Sequence, residues 1–298
     1  GTNPGPDPGK DPTTPEQPPV TPVVRTDLPL ATKQAIGDGL IYRIGEKASG
    51  SSDTPAQPAK VAIDYKQKPN QDPHKIVVGY IDESGKLTIV TDGVYQTGEG
   101  QVTFTADQPG DYVIYYNDVS FQDVQSIAWA KSSIEALAAR EVIQGAGNDQ
   151  FLPNKAVTRA EFVAMAMRMF GLVGDDVETQ FADVAAEDWF SSSVAAARKL
   201  GIVNGGADGQ FHPNDQISRQ DMAVIAHRLV QAHQIQLDTS EVTSFKDSGN
   251  IAPYAQDAVD FMHQASIFVG SNDRFQPNNA ATRAEAAVIL YKLLVLAK

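Results

Sequence analysis

The chain contains no cysteine. That absence removes disulfide frameworks, thiolate metal sites and thiol nucleophiles. It contains no apolar run of about 18 residues, the length a membrane-crossing helix needs, so no membrane insertion is expected. The first residues lack the basic start and apolar stretch of a secretory signal, and they read as a cut within a linker of a larger protein. Positive charge is scarce: 24 Lys and Arg stand against 37 Asp and Glu, a formal charge of −13 over 298 residues. The excess acid is spread along the chain, with ten basic against sixteen acidic residues in 1–120 and fourteen against twenty-one in 121–298. Nucleic-acid phosphates demand clustered Lys and Arg, so no nucleic-acid partner is expected. A small anion held by one well-placed Arg is compatible with this balance.

Catalytic signatures are equally sparse. No nucleophile elbow, P-loop or dinucleotide fingerprint occurs. His74, His212, His227, His233 and His263 show no zinc spacing, and the Asp-rich loops lack the alternating ligands of a calcium-binding loop. The expectation is a chain without enzymatic activity, cofactor or metal.

Composition divides the chain. Residues 1–22 are rich in Pro, Gly, Asp and Thr, which predicts an extended linker unable to bury a core. Residues 23–119 carry short β-branched and aromatic runs: 61–65, 75–81, 86–90, 101–105 and 111–116, separated by turn signals such as Gln108-Pro109-Gly110. That spacing predicts a small antiparallel β-sandwich-like module, with a polar loop over 48–60.

From Phe121 the chain repeats itself. Phe121-Gln122-Asp123-Val124 recurs as Phe181-Ala182-Asp183-Val184 and Phe245-Lys246-Asp247-Ser248. Each opening is followed by an aromatic (Trp129, Trp189, Tyr254), a helical stretch ending near Gly145, Gly205 and Gly270, and a Phe-x-Pro-Asn turn at 151–154, 211–214 and 275–278. Each closes on a box: Thr158-Arg159-Ala160-Glu161, Ser218-Arg219-Gln220-Asp221 and Thr282-Arg283-Ala284-Glu285. The opening Phe and the closing Arg are 38 positions apart in all three copies. Matched landmarks recurring in three copies mark a repeat architecture.

Within one copy, Ile134, Leu137, Ala138 and Val142 share a face, predicting a first helix over 132–142. Thr158 with Glu161 forms a capping box that starts a second helix, with Phe162, Met165, Ala166 and Met169 as its apolar stripe. The Arg falls at the first helical position, where free N–H groups and the helix dipole favour an anion. Its planar fork suits a carboxylate.

These motifs together resemble the S-layer homology domain of bacterial cell-surface proteins, over about 178 of the 298 residues. The resemblance implies three repeats (120–177, 178–240 and 241–298) forming one all-α pseudo-threefold unit around a central three-helix bundle, after the all-β module. It implies a noncatalytic anchor at the Gram-positive cell wall or S-layer. The expected partner is a secondary cell-wall polysaccharide bound through terminal pyruvylated N-acetylmannosamine, with S-layer or other surface proteins as neighbours. Carried over residue by residue, Arg159, Arg219 and Arg283 would meet the pyruvyl carboxylate. Asp123, Asp183 and Asp247 would meet sugar hydroxyls or orient the Arg. Trp129, Trp189 and Tyr254 would stack on the sugar, and Gly145, Gly205 and Gly270 would let the backbone approach it. From the residues alone, the Asp side chains are as well explained by turn capping, the aromatics by packing and the glycines by conformation. Tyr254 in place of Trp, and the shortened loop of the third repeat, rank the Arg159 and Arg219 grooves above that of Arg283. Two other readings stay open, a lattice-assembly module with secondary glycan contact and a glycan-processing enzyme.

Overall fold

The structure is a computed structural model that describes residues 18–45, 58–173 and 181–296. A β-rich N-terminal region is followed by a helical region that holds the repeats.

The N-terminal region contains strands β1 (Val20–Val23), β2 (Leu40–Ile44), β3 (Ala59–Asp64), β4 (Ile76–Ile81), β5 (Leu87–Val90), β6 (Val94–Gln96), β7 (Gln101–Ala106) and β8 (Gly110–Tyr116). They form a five-stranded sheet ordered β1-β2-β8-β4-β5 and a three-stranded sheet ordered β3-β7-β6, with every pairing antiparallel. Strand alternation sends Ile76, Val78, Tyr112 and Ile114 to one face, where they pack on Val61, Ile63, Val102 and Phe104 of the smaller sheet. The opposite face of β4 and β8 presents Val77, Ile81, Val113 and Tyr115, covered by Leu28 and by Ile36 of helix α1 (Leu30–Ile36).

Three elements here carry little periodic signal: β2, β6 and α1 are short and were not expected. The Pro-rich linker expected over 1–22 also ends earlier, because Val20–Val23 pair with β2 as far as Val20↔Ile44. Pro22 is tolerated there because β1 is an edge strand, where a missing N–H costs no ladder bond. Residues 1–17, and most of the loop expected over 48–60, lie outside the described residues.

The repeats contribute paired helices: α2 (Lys131–Ala139) and α3 (Arg159–Met169), α4 (Ser191–Lys199) and α5 (Arg219–Ala232), α6 (Gln256–Gln264) and α7 (Arg283–Leu296). The second helix of each pair begins where its sequence demands. Thr158 accepts from Glu161 N–H while Glu161 accepts from Thr158 N–H, a complete capping box. Thr282 and Glu285 repeat it. Ser218 accepts from Asp221 N–H, but the shorter Asp221 side chain takes the Ser218 hydroxyl instead of reaching back to the backbone. The first helix of repeat 1 stops at Ala139, short of the expected Val142, because Glu141 adopts a left-handed conformation. Val142 is nonetheless fully buried.

The peptides just before the three boxes are joined in a closed circuit. Val157 N–H donates to Ala281 O, Ala281 N–H to Ile217 O, and Ile217 N–H to Val157 O, at 2.9–3.0 Å. One apolar cluster runs from Phe121 to Leu294 through all three repeats, and both α3 and α5 pack on α7. The repeats therefore share a core.

The β region docks on this body through α2 and α7. Arg140, 1% exposed, donates to Gly93 O, His74 O and Ile76 O across the junction, and to Ala136 O in its own helix. Lys75 pairs with the buried Glu135 at 2.9 Å, Asn117 donates to Ala139 O, and His74 meets the Tyr291 hydroxyl.

Candidate functional site

Each box arginine reaches into the next repeat. Arg159 Nε donates to Phe211 O at 3.0 Å, Arg219 Nε to Phe275 O at 2.8 Å, and Arg283 Nε to Phe151 O at 3.0 Å. Each guanidinium also lies over the ring of that same Phe, at 5.3, 5.3 and 4.5 Å, within cation–π range. The repeats thus meet in three junctions, and every junction carries one oriented Arg.

The outer ends of the forks differ. Arg219 Nη1 is taken by Glu285. Arg283 Nη2 donates to Gln144 O at 2.8 Å, and its Nη1 stands 3.8 Å from Glu161. Burial pulls the Arg283 guanidinium below the usual arginine range, partly offset by Glu161. For Arg159, no Nη bond occurs among the described residues.

The three aspartates hold the turn that presents the Phe carbonyl. Asp123 accepts from Phe151 N–H and Leu152 N–H, Asp183 from Phe211 and His212, and Asp247 from Phe275 and Gln276, all at 2.7–2.9 Å. The second residue of each pair has a left-handed backbone, φ 60° at Leu152, 58° at His212 and 59° at Gln276. A non-glycine residue resists that conformation, and the carboxylate's two bonds fix it. Asp183 and Asp247 both sit below the usual carboxylate range: burial raises them, and the backbone N–H donors more than reverse it. A depressed carboxylate stabilises the fold above its unfolded pKa, near 4, and loses that contribution as pH falls through the folded value. The helical signal in circular dichroism should therefore melt at lower temperature at pH 3 than at pH 6. Equal melting temperatures would show that these aspartates are not the acid-sensitive elements.

The three glycines are required by the opening Phe. A Cβ on Gly145 would come within 2.7 Å of the Phe121 ring, one on Gly205 within 2.7 Å of Phe181, and one on Gly270 within 2.6 Å of Phe245. Gly205 and Gly270 also have positive φ, whereas Gly145 does not. The loop after Gly145 lacks the final glycine of its counterpart at Gly209. Asn148 and Asp149 take up left-handed conformations instead, as Asn272 and Asp273 do in the third repeat, a strain that short polar side chains tolerate.

The aromatics do not pack inward. Trp129, Trp189 and Tyr254 are 60%, 61% and 62% exposed, too much for core residues of their size. Tyr254 donates to Asp221, and Trp189 lines a cavity of about 340 Å³ together with Arg283, Gly145 and Leu152. This cavity also includes the box residue Glu161, together with Arg168 and Lys155, which the repeat motifs did not single out. The signal for Arg168 was a basic residue nine positions after each box Arg, matched by Arg228 and Lys292.

Against known proteins, the family model of the S-layer homology domain matches residues 120–163, 180–223 and 244–287. The chain is 35% identical over 244 residues to an amylopullulanase of Thermoanaerobacterium thermosulfurigenes, covering 81% of this chain and 13% of that protein. It is 36% identical over 227 residues to an exoglucanase of Acetivibrio thermocellus, covering 72% and 20%. An S-layer protein of Bacillus anthracis is 30% identical over 176 residues, covering 58% and 21%. The chain thus spans about a fifth or less of these relatives. It belongs to the S-layer homology family through its three tandem repeats, which places it among cell-surface proteins. No described helix is long and apolar enough to cross a membrane.

Proposed function

We propose that this chain is a noncatalytic anchor that holds a surface protein to the cell wall by binding a secondary cell-wall polysaccharide through terminal pyruvylated N-acetylmannosamine. The observation that carries the reading is the recurrence, at each junction between repeats, of an Arg oriented by a neighbour's carbonyl; in the cavity at Arg283 that Arg stands beside an exposed indole. A carboxylate meets the fork, and a sugar ring finds an aromatic face. The closed hydrogen-bond circuit at Val157, Ile217 and Ala281 supports a pseudo-threefold unit with α3, α5 and α7 as its central bundle. On this reading, the linker and the β module precede three repeats at 120–177, 178–240 and 241–298. Arg159, Arg219 and Arg283 hold the ligand, the aromatics stack on it, and the Asp and Gly residues shape the turn and the approach.

The test is calorimetric titration of the chain with pyruvylated N-acetylmannosamine and with the same sugar lacking the ketal. Binding should require the pyruvyl group. Arg283→Ala should weaken binding at its groove by about 1.5–3 kcal/mol, the worth of a charge-assisted hydrogen bond, while leaving the helical spectrum unchanged. Equal affinity for both sugars, or unaltered binding by the alanine variants of all three arginines, would remove this mechanism.

A further inference from the structure

The three junctions are alike in motif and unlike in charge. Nine residues after each box Arg stands a second basic residue, and two of the three are committed to their own repeat. Arg228 donates to Ile202 O at 3.3 Å, and Lys292 donates to Ser266 O and Ile267 O at 2.7 and 3.1 Å. Arg168 makes no such bond among the described residues. It leans over the Trp189 indole at 5.7 Å and lines the same cavity as Arg283. It is partly buried, and burial pulls it below the usual arginine range. A second difference lies at the residue after the Pro-Asn turn. It is Lys155 in this cavity, and Asp215 and Asn279 at the corresponding places. Among the residues lining the cavity, Lys155, Arg168 and Arg283 thus stand against Glu161, with Asp123 behind the lining, in a chain that is acidic overall. The corresponding residues of the second repeat, Asp215, Asp221 and Arg228, with Arg159, balance to zero.

We infer that Arg168 is a specificity-determining residue of the groove at Arg283, where it binds an anionic group of the ligand against the Trp189 face and makes this groove selective for acidic sugars. The inference rests on the glycan-anchor reading and deepens it. An arginine desolvated over an indole, with donors unspent, gains most from a carboxylate that arrives with the ligand. The cavity is large enough for one sugar residue with its acidic substituent.

The experiment uses the whole chain and the two indole N–H resonances in proton–nitrogen spectra, since Trp189 lines this cavity and Trp129 does not. The probes are pyruvylated N-acetylmannosamine, unmodified N-acetylmannosamine and glucuronate, with calorimetry run in parallel. The charged sugars should move the Trp189 signal and the unmodified sugar should not. Arg168→Leu should raise the Trp189 midpoint at least tenfold, while Arg228→Leu leaves it within twofold. An unchanged midpoint in Arg168→Leu, or an equal rise in Arg228→Leu, overturns the inference. Response to glucuronate but not to the pyruvylated sugar would support the role of Arg168 and remove the proposed ketal specificity. Binding heat with a silent Trp189 would overturn this inference alone, and no heat with any probe would overturn both.

Discussion

Replacing Arg140 with methionine should lower the stability of the chain by about 3–5 kcal/mol, since each buried polar group deprived of its partner costs about 1–3 kcal/mol. The side chain is 1% exposed and directs its three nitrogens at four carbonyls, three of them in the β region. Methionine keeps much of the volume and supplies no donor. The Gly93 and His74 carbonyls would then face a thioether. Burial pulls the Arg140 guanidinium below its usual range, partly offset by Tyr291 and Asp92, and the carbonyls supply the acceptors that make the buried cation tolerable. Scanning calorimetry should show the melting temperature falling by about 6–20 °C, using the size scaling for domains of this order. Hydrogen exchange should rise first in β4 and α2, the elements this side chain joins. A melting temperature within 2 °C of the parent, a change of about 1 kcal/mol or less, would show that Lys75–Glu135 and the apolar contacts hold the junction without it.

The second large effect is expected at Asp247. Its carboxylate is buried and accepts from Phe275 N–H and Gln276 N–H, both at 2.8 Å. Asp247→Ala leaves two backbone donors without partners and releases the left-handed Gln276. Hydrogen bonds to a charged acceptor are worth about 1.5–3 kcal/mol each, so a loss of about 3–6 kcal/mol is expected in urea unfolding followed by helical circular dichroism. The same turn carries Phe275 O, the acceptor for Arg219 Nε. The variant should therefore also loosen that arginine. Asp273→Asn is the control, because among the described residues its carboxylate pairs with the exposed Lys246, pairs of that kind are worth about 0–1 kcal/mol, and asparagine tolerates the left-handed backbone at this position. Equal effects from the two changes would contradict the turn-holding role of Asp247.

Much of this was legible along the chain. The Phe-x-Asp openings, the Pro-Asn turns and the Thr-Arg-Ala-Glu boxes each specify local structure through nearby groups, so their spacing announced the repeats and the helix starts. The β runs at 75–81, 101–105 and 111–116 were legible too, since β7 alternates along its length and β4 and β8, buried on both faces, read as nearly continuous apolar runs. The missed elements, β1, β2, β6 and α1, are too short or too Pro-rich to carry a period and exist because tertiary neighbours pair with them or cover them. Arg140 left a trace, because the matching positions hold Leu200 and Ala265. A charge at that place announces a departure from the repeat without saying what it meets.

By itself the sequence determined that three equal units exist, where their helices start, and that each offers an arginine at a helix N-terminus. Only the tertiary structure decided which repeat each arginine reaches, that the three aspartates spend both oxygens on the backbone, and that the three aromatics face outward. It also decided that the junctions are unequal, with Arg219 closed by Glu285 and Arg283 joined by Arg168 in one cavity. The physical reason is the range of the forces. Capping, turn chemistry and periodicity act over a few residues and are written in order along the chain. Charge balance in a junction sums over groups far apart in sequence, such as Glu161 and Arg283, which only folding brings together.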